Sequence, residues 1–262
     1  MREPLSPSWQ SLVWVALPVL GVMAALAWQR LGQIRRMAVA IVRMLVQVML
    51  LGVVLEAVFA SGNPWVVALV ALVMLAASAY SVSARQQRGS WALRLQAFGS
   101  MALGAAVTMI VGTRLALGVE PWYDPRTIVP IVGMVLGNSL NGVSLGAERL
   151  ESELRAERDR IELRLALGAT ARQAAAPALR AAIAAALRPT INSMMVAGIV
   201  SVPGMMTGQI LAGAPVGDAL RYQLLIYFML AGTVGISTLV LLAIRLHGYF
   251  TPAHQLRHEA LA

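Results

Sequence analysis

The sequence predicts an all-α, polytopic membrane protein with seven transmembrane helices, and three observations carry that expectation. Long apolar stretches fill most of the 262 residues, each near the ~20 residues a helix needs to cross the hydrocarbon. Hydrophobic residues make up 58% of the chain and mean hydropathy is +0.71, which leaves little sequence for a soluble domain. The third observation is the placement of arginine. All 21 basic residues are Arg, and most fall on alternate sides of the apolar stretches. Arg30, Arg35 and Arg36 share one connection, and Arg85, Arg88 and Arg94 another. Arg149, Arg155, Arg158, Arg160, Arg164, Arg172 and Arg180 lie in a third, and Arg245 and Arg257 close the chain. The intervening loops hold Arg2 and Arg126 with Glu3, Glu120, Asp124 and Asp218. Cationic loops stay cytoplasmic, so the expected orientation has the N-terminus outside and the C-terminus inside.

The expected spans run over roughly 10–29, 37–59, 64–84, 97–117, 127–147, 187–212 and 220–246, one membrane domain covering 1–262. The first stretch lacks a strongly basic start and a small-x-small cleavage site, and reads as a retained helix. The fourth carries Ser100, Gly104 and Gly112. The fifth carries Gly133, Gly137, Gly142 and Gly146. Small residues four apart let helix backbones approach closely in lipid, so bundle packing is their expected role.

Segment 148–183 differs in kind. Acids and arginines alternate at helical spacing, as on a solvated helix. Leu150, Leu154, Ile161 and Leu165 supply its apolar stripe. Gly168 suits the left-handed residue that ends a helix. Thr170 with Gln173 matches a capping box that starts another. The expectation is a cytoplasmic helix-turn-helix joining spans 5 and 6. In span 6, Pro203-Gly204 predicts a kink or break, and irregular backbone at that depth survives only inside protein or along a wet cavity.

Polar side chains inside spans mark interior or cavity-facing positions. Arg43 and Gln47 lie one turn apart in span 2; Asn138 and Asn141 lie three apart in span 5; Asn192 begins the polar set of span 6, with Ser201, Pro203, Gly204, Met205, Met206, Thr207 and Gln209 around the break. Together they are the candidate translocation path. Each has a plainer reading: snorkelling to the headgroups for Arg43, interhelical hydrogen bonding for the asparagines, and core filling for the methionines. Met205 and Met206 are weak candidates for metal ligation, since thioethers suit a soft ion such as Cu(I). There is no cysteine, and His247, His254 and His258 all lie at or beyond the end of span 7. The chain has no phosphate loop, zinc motif or nucleophile elbow, so any ATP and Mg would be bound by another chain. The formal charge of +9 lies beside the spans, which favours lipid headgroups over nucleic acid as its counterpart.

In order along the chain stand VPIVGMVLGNSLNGVSL, LRLALGATARQA, LRPTINSM, GIVSVPGMMTGQILAGA and YQLLIYFMLAGT. These segments resemble the permease subunits of FetB-type iron-export ABC transporters, whose plant relatives are aluminium-tolerance permeases. The resemblance implies two copies of the permease with two ATPase subunits in the bacterial inner membrane. It implies no catalytic residue in this chain. Iron or another metal ion is the implied substrate, and a nucleotide sugar is the alternative that the plant relatives introduce. Glu162, Gly168, Ala169 and Thr170 would form the loop that docks on the ATPase. One departure stands out: Asn192 and Met195 replace an aspartate and a lysine common in the family, so no acid is present there to hold a cation. Two other classes compete. A stand-alone secondary transporter would need an internal repeat and mid-membrane acids, and an intramembrane enzyme would need the missing nucleophile or metal motifs.

Overall fold

The computed structural model describes residues 8–29, 32–86 and 90–257, and Arg30, Arg88 and His258 lie outside them. The described residues are helical, with no β-strand beyond two isolated bridges. Two compact units result, residues 1–62 and 63–262.

The first unit contains α1 (Trp9–Trp28) and α2 (Ile34–Ser61). Ser8 caps α1 by accepting from the Ser11 N–H, and Gly62, at φ +56°, ends α2 in the left-handed region. The second unit begins with α3 (Pro64–Arg85), whose start is set by Asn63 as the cap and Pro64 at the first position. Helix α4 (Trp91–Met109) is capped by Ser90 and runs on into a π-helical turn, Ile110–Ala116. Helix α5 (Pro125–Ala156) starts at Asp124, whose carboxylate accepts from the Thr127 N–H and hydroxyl. It continues well past the expected membrane span, so the acidic segment is an extension of the same helix. Then come α6 (Arg158–Ala166), the single turn α7 (Ala171–Ala174), α8 (Ala176–Val196), α9 (Gly204–Leu211) and α10 (Val216–Gly248).

Among the described residues, six helices are long and apolar enough to cross a membrane: α1, α2, α3, α4 with its π turn, α5 and α10. The segment expected to cross at 187–212 is not one helix. It comprises the second half of α8, a break at 197–203, and α9.

In the second unit, α5 packs against α3, α8 and α10, and α4 packs on α10. The glycines explain how closely. A Cβ at Gly142 would lie 2.5 Å from a Val234 methyl and 3.1 Å from the Ala186 carbonyl oxygen. One at Gly146 would meet the Ala186 Cβ at 3.1 Å, and one at Gly104 the Ser237 hydroxyl at 2.3 Å. The small-residue pattern of α5 thus faces α8 and α10 through Gly142 and Gly146. Gly137 faces open space. Around this crossing, Val143, Ala147, Val82, Ala97, Met101 and Leu241 form one buried cluster. A second, at the far end of the same helices, joins Leu150, Leu154 and Ile161 to Ala178, Ala182, Leu242 and Leu246. Thr108 and Thr233 share a buried hydrogen bond at 2.5 Å between α4 and α10.

Gly142→Leu should therefore lower stability by at least ~1–3 kcal/mol through overpacking. Gly137→Leu should leave it unchanged. Thermal unfolding of the two purified variants in one detergent distinguishes them; equal losses would mean that the α5–α8 crossing does not depend on a bare backbone.

Candidate functional site

Two features of the second unit are built rather than merely packed: the broken helix at 197–203 and the turn at 167–170.

The break is set by Gly198. It sits at φ +82°, a region that costs a residue with a Cβ ~1–2 kcal/mol. The chain turns back on itself there. The Val196 carbonyl accepts from Ile199, Val200 and Ser201, and the Ser201 carbonyl accepts from the Gly198 N–H at 2.8 Å. Pro203, at φ −61° and ψ 135°, then precedes α9 as its cap. Thr207 caps inward, its hydroxyl donating to the Pro203 carbonyl at 3.1 Å. Helix α8 therefore presents its carbonyl end to the break, and α9 its amide end. Between such half-helices, a cation is matched by the carbonyl end and an anion by the amide end. Ile199, Val200 and Val202 are exposed at 89%, 79% and 65%, so the described residues of the second unit leave this backbone uncovered.

The sequence-predicted path residues are placed as follows. Ser201, Gly204 and Thr207 are exposed around the break, and Pro203 is half-buried. Met205 packs on the apolar cluster of Ile131, Val135, Ile226 and Met229, where a flexible thioether fills an irregular gap. Met206 and Gln209 are half-buried, and the Gln209 Oε1 is buried without a hydrogen-bond partner. Asn192 is exposed on α8. The pairing of Ala182 and Ala186 with Gly146 and Gly142 sets the register, which brings Asn192 toward the level of Asn138. Asn138 donates to its own helix at the Met134 carbonyl, 2.9 Å away, while Asn141 accepts from Arg85 at 3.0 Å and so joins α5 to α3. Arg43 and Gln47 share an exposed face of α2 in the first unit with Val39, Val42 and Val46. Among the described residues, no group of three or more His, Asp or Glu side chains forms a metal cluster.

The turn matches its local prediction. Gly168 has φ +90°, and its N–H donates to the Leu165 carbonyl while that of Ala169 donates to Arg164. Thr170 and Gln173 form the reciprocal capping box. Arg164 closes the two limbs by donating to the Ala174 carbonyl at 2.9 Å. Glu162 pairs with Arg158 at 3.1 Å. Leu163 and Leu167 project at 61% and 80% exposure.

Three contributions lie beyond the sequence reading. The π turn at the end of α4 lets Gly112 accept the Met229 side chain, whose sulfur would lie 2.2 Å from a Cβ there. The C-terminal segment folds back on the turn: Tyr249, Phe250 and Leu256 are buried with Ile161 and Ala174, and the Ala171 N–H donates to His254 Nδ1 at 3.4 Å. Last, buried Glu151 holds Arg155 on its own helix and Arg245 on α10. Arg245 also donates to the Tyr249 hydroxyl. Burial pushes the Tyr249 phenol above its ordinary range, with Arg245 opposing and Glu151 adding to the rise, so the hydroxyl stays neutral. Of these, only the basic and acidic residue types were visible in sequence; their meeting across helices was not.

Gly198→Val should cost ~1–2 kcal/mol, and Gly198→Asn should recover most of it, because Asn tolerates the left-handed region. Comparing the two by thermal unfolding checks this; equal loss would place the constraint in space rather than in φ.

The comparisons with known proteins follow the same outline. The family model described as "Uncharacterised protein family (UPF0014)" matches residues 9–250. The UPF0014 membrane protein slr1647 of Synechocystis is 39% identical over 95% of this chain and 96% of its own length. The probable iron export permease protein FetB of Escherichia coli is 32% identical over 82% of this chain and 81% of its own. The protein ALUMINUM SENSITIVE 3 of Arabidopsis thaliana is 29% identical over 87% of this chain and 82% of its own. No solved structure matches. With a match across nearly its whole length, this multi-pass membrane protein belongs to the UPF0014 family, which includes the FetB permease and its plant relatives.

Proposed function

We propose that this chain is the permease subunit of an ATP-driven ABC transporter in the bacterial inner membrane, and that it exports iron or another metal ion. The permease name of the FetB relative supports the transport role and the ion. In this reading the α8–break–α9 segment is the seventh crossing, and the whole chain is one membrane domain. The N-terminus is outside and the C-terminus cytoplasmic. The arginines at one end of the second unit support that orientation, from Arg85 and Arg94 through Arg155–Arg180 to Arg245 and Arg257. Arg114, Arg126 and Arg221 mark the opposite end, and there Arg221 is offset by Asp218 at 2.8 Å.

Two copies face each other in the proposed assembly, with two ATPase subunits beneath. The exposed break supports pairing, because irregular backbone at membrane depth must be buried in protein or line a wet cavity. A second copy supplies both. The path then runs between the copies past Ser201, Pro203, Gly204 and Thr207, and the carbonyl end of α8 is the half that suits a cation.

The observation that carries the reading is the doubly capped turn at Gly168–Thr170. It presents exposed Leu163 and Leu167, while its limbs are continuous with α5 on one side and with α8 on the other. Closure of the ATPase against Gly168, Ala169 and Thr170 would move α8, and with it the break. The double variant Gly168→Val, Thr170→Ala tests this: the first strains the left-handed residue by ~1–2 kcal/mol and the second removes a cap of ~1 kcal/mol. The chain should still insert, while co-purification of the ATPase or its stimulation by the permease falls. Normal binding and coupled hydrolysis would remove the turn from the mechanism.

A further inference from the structure

One cleft in the second unit meets the coupling turn only at Thr170. It has a volume of about 680 Å³ and lies between α7–α8, the end of α10 and the folded-back C-terminal segment. That volume falls within the ~300–1,000 Å³ typical of small-molecule sites.

Its lining is graded. Along α8 it runs from Arg172, just before the helix, to Leu179 and Ile183. Along α10 it runs the opposite way, from Leu239 and Ala243 to His247. Because the two helices are antiparallel, both gradients point the same way: the floor is aliphatic and the mouth basic. Arg257 and His254 complete the mouth from the C-terminal segment. Among the described residues, neither Arg172 nor Arg257 meets a carboxylate within ion-pair distance. Both are exposed. His247 uses its Nδ1 on the Ala243 carbonyl at 2.7 Å and also lines the cleft. At the apolar end, Leu239 is 53% exposed, so the floor opens sideways to the outside of the helix pair. Leu239 and Ala243 also belong to a helix long and apolar enough to cross the membrane.

We propose that this cleft binds an anionic phospholipid. The phosphate would sit between Arg172 and Arg257, and the first part of an acyl chain would lie along Leu179, Ile183, Leu239 and Ala243. Basic pockets between membrane helices recognise lipid phosphates in this way, and the lateral opening admits a chain that a soluble ligand does not need. A partner protein would need an acidic residue on an apolar stem reaching into the membrane-facing side, which is a poorer fit to the gradient. The site adjoins the Thr170 capping box, so an occupant would also brace the turn. The proposal does not depend on an ATPase partner.

Native mass spectrometry of the full-length chain, released from detergent supplemented with dioleoyl phosphatidylglycerol or dioleoyl phosphatidylethanolamine, tests it. The wild type should retain the anionic lipid preferentially. R172Q/R257Q should bind it about twenty-five-fold more weakly, since each arginine near a membrane surface contributes roughly five-fold. Ile183→Trp, which fills the floor and keeps both charges, should lose the lipid as well. Equal retention of the two lipids, or an unchanged affinity in both variants, would overturn the proposal. So would full competition by soluble glycerol phosphate, which would mean a free phosphate-ester site. Unchanged lipid retention with loss of ATPase co-purification in R172Q/R257Q would reassign the arginines to protein docking.

Discussion

Helix α5 reaches α8 and α10 at a distance that only a bare backbone allows. Gly142 and Gly146 stand where a Cβ would collide with Val234 and crowd Ala186, and in a bilayer the hydrophobic effect cannot draw helices together in compensation. Close van der Waals contact must hold them. Much else follows from that approach. It sets the register in which Ala182 and Ala186 lie beside the glycines, brings Leu242 and Leu246 onto Ala178 and Ala182, and fixes where α8 must stop before the chain turns at Gly198.

The same packing ties the two built features together. From Thr170 to Val196 the chain is nearly continuous helix, with one face held against α5. At the turn end the hold is reinforced by the folded-back residues Tyr249, Phe250 and Leu256. It is reinforced again by Glu151, which reaches Arg155 and Arg245 from a buried position. Removing Glu151 would strand the mostly buried charge of Arg245, so this contact ties α5 to α10 at this end. At the other end, Ile199 to Val202 have no such support from the described residues of the second unit. In the proposed transport role, this helical bar, held at one end and free at the other, would carry motion from the turn to the break.

How much of this could be read from the sequence depends on whether the signal is local. The capping box at Thr170 and Gln173 and the left-handed Gly168 are fixed by neighbours three or four residues away, and their pattern was legible. Asn63-Pro64, Ser90 and Asp124-Pro125 start α3, α4 and α5 by equally local rules, though no cap was expected there. The break was expected at Pro203-Gly204 because proline advertises itself; the turn begins earlier, at Gly198, since a glycine reveals its φ only in the fold. Gly142 and Gly146 were recognisable as packing residues, yet nothing in the pattern said that they face α8 and α10 while Gly137 faces outward. Asn141 with Arg85, Glu151 with Arg245 and the C-terminal segment against α7 join residues far apart in the chain. A single sequence does not encode such pairings by spacing. Family membership was legible from the ordered segments themselves, because the chain matches its relatives along nearly all of its length.

The central claim is that the turn and the break move as one body. The chain contains no cysteine, so cysteines introduced at the exposed positions Leu167 and Ile199 would be the sole attachment points for spin labels. Pulsed dipolar spectroscopy of that pair, in assemblies that hold one labelled copy, with the proposed ATPase partner and with and without nucleotide, measures the length of the bar. One narrow distance, the same in every nucleotide state, is the predicted result. A broad distribution, or a distance that shifts when nucleotide binds, would show that α8 bends between the turn and the break and would contradict the account.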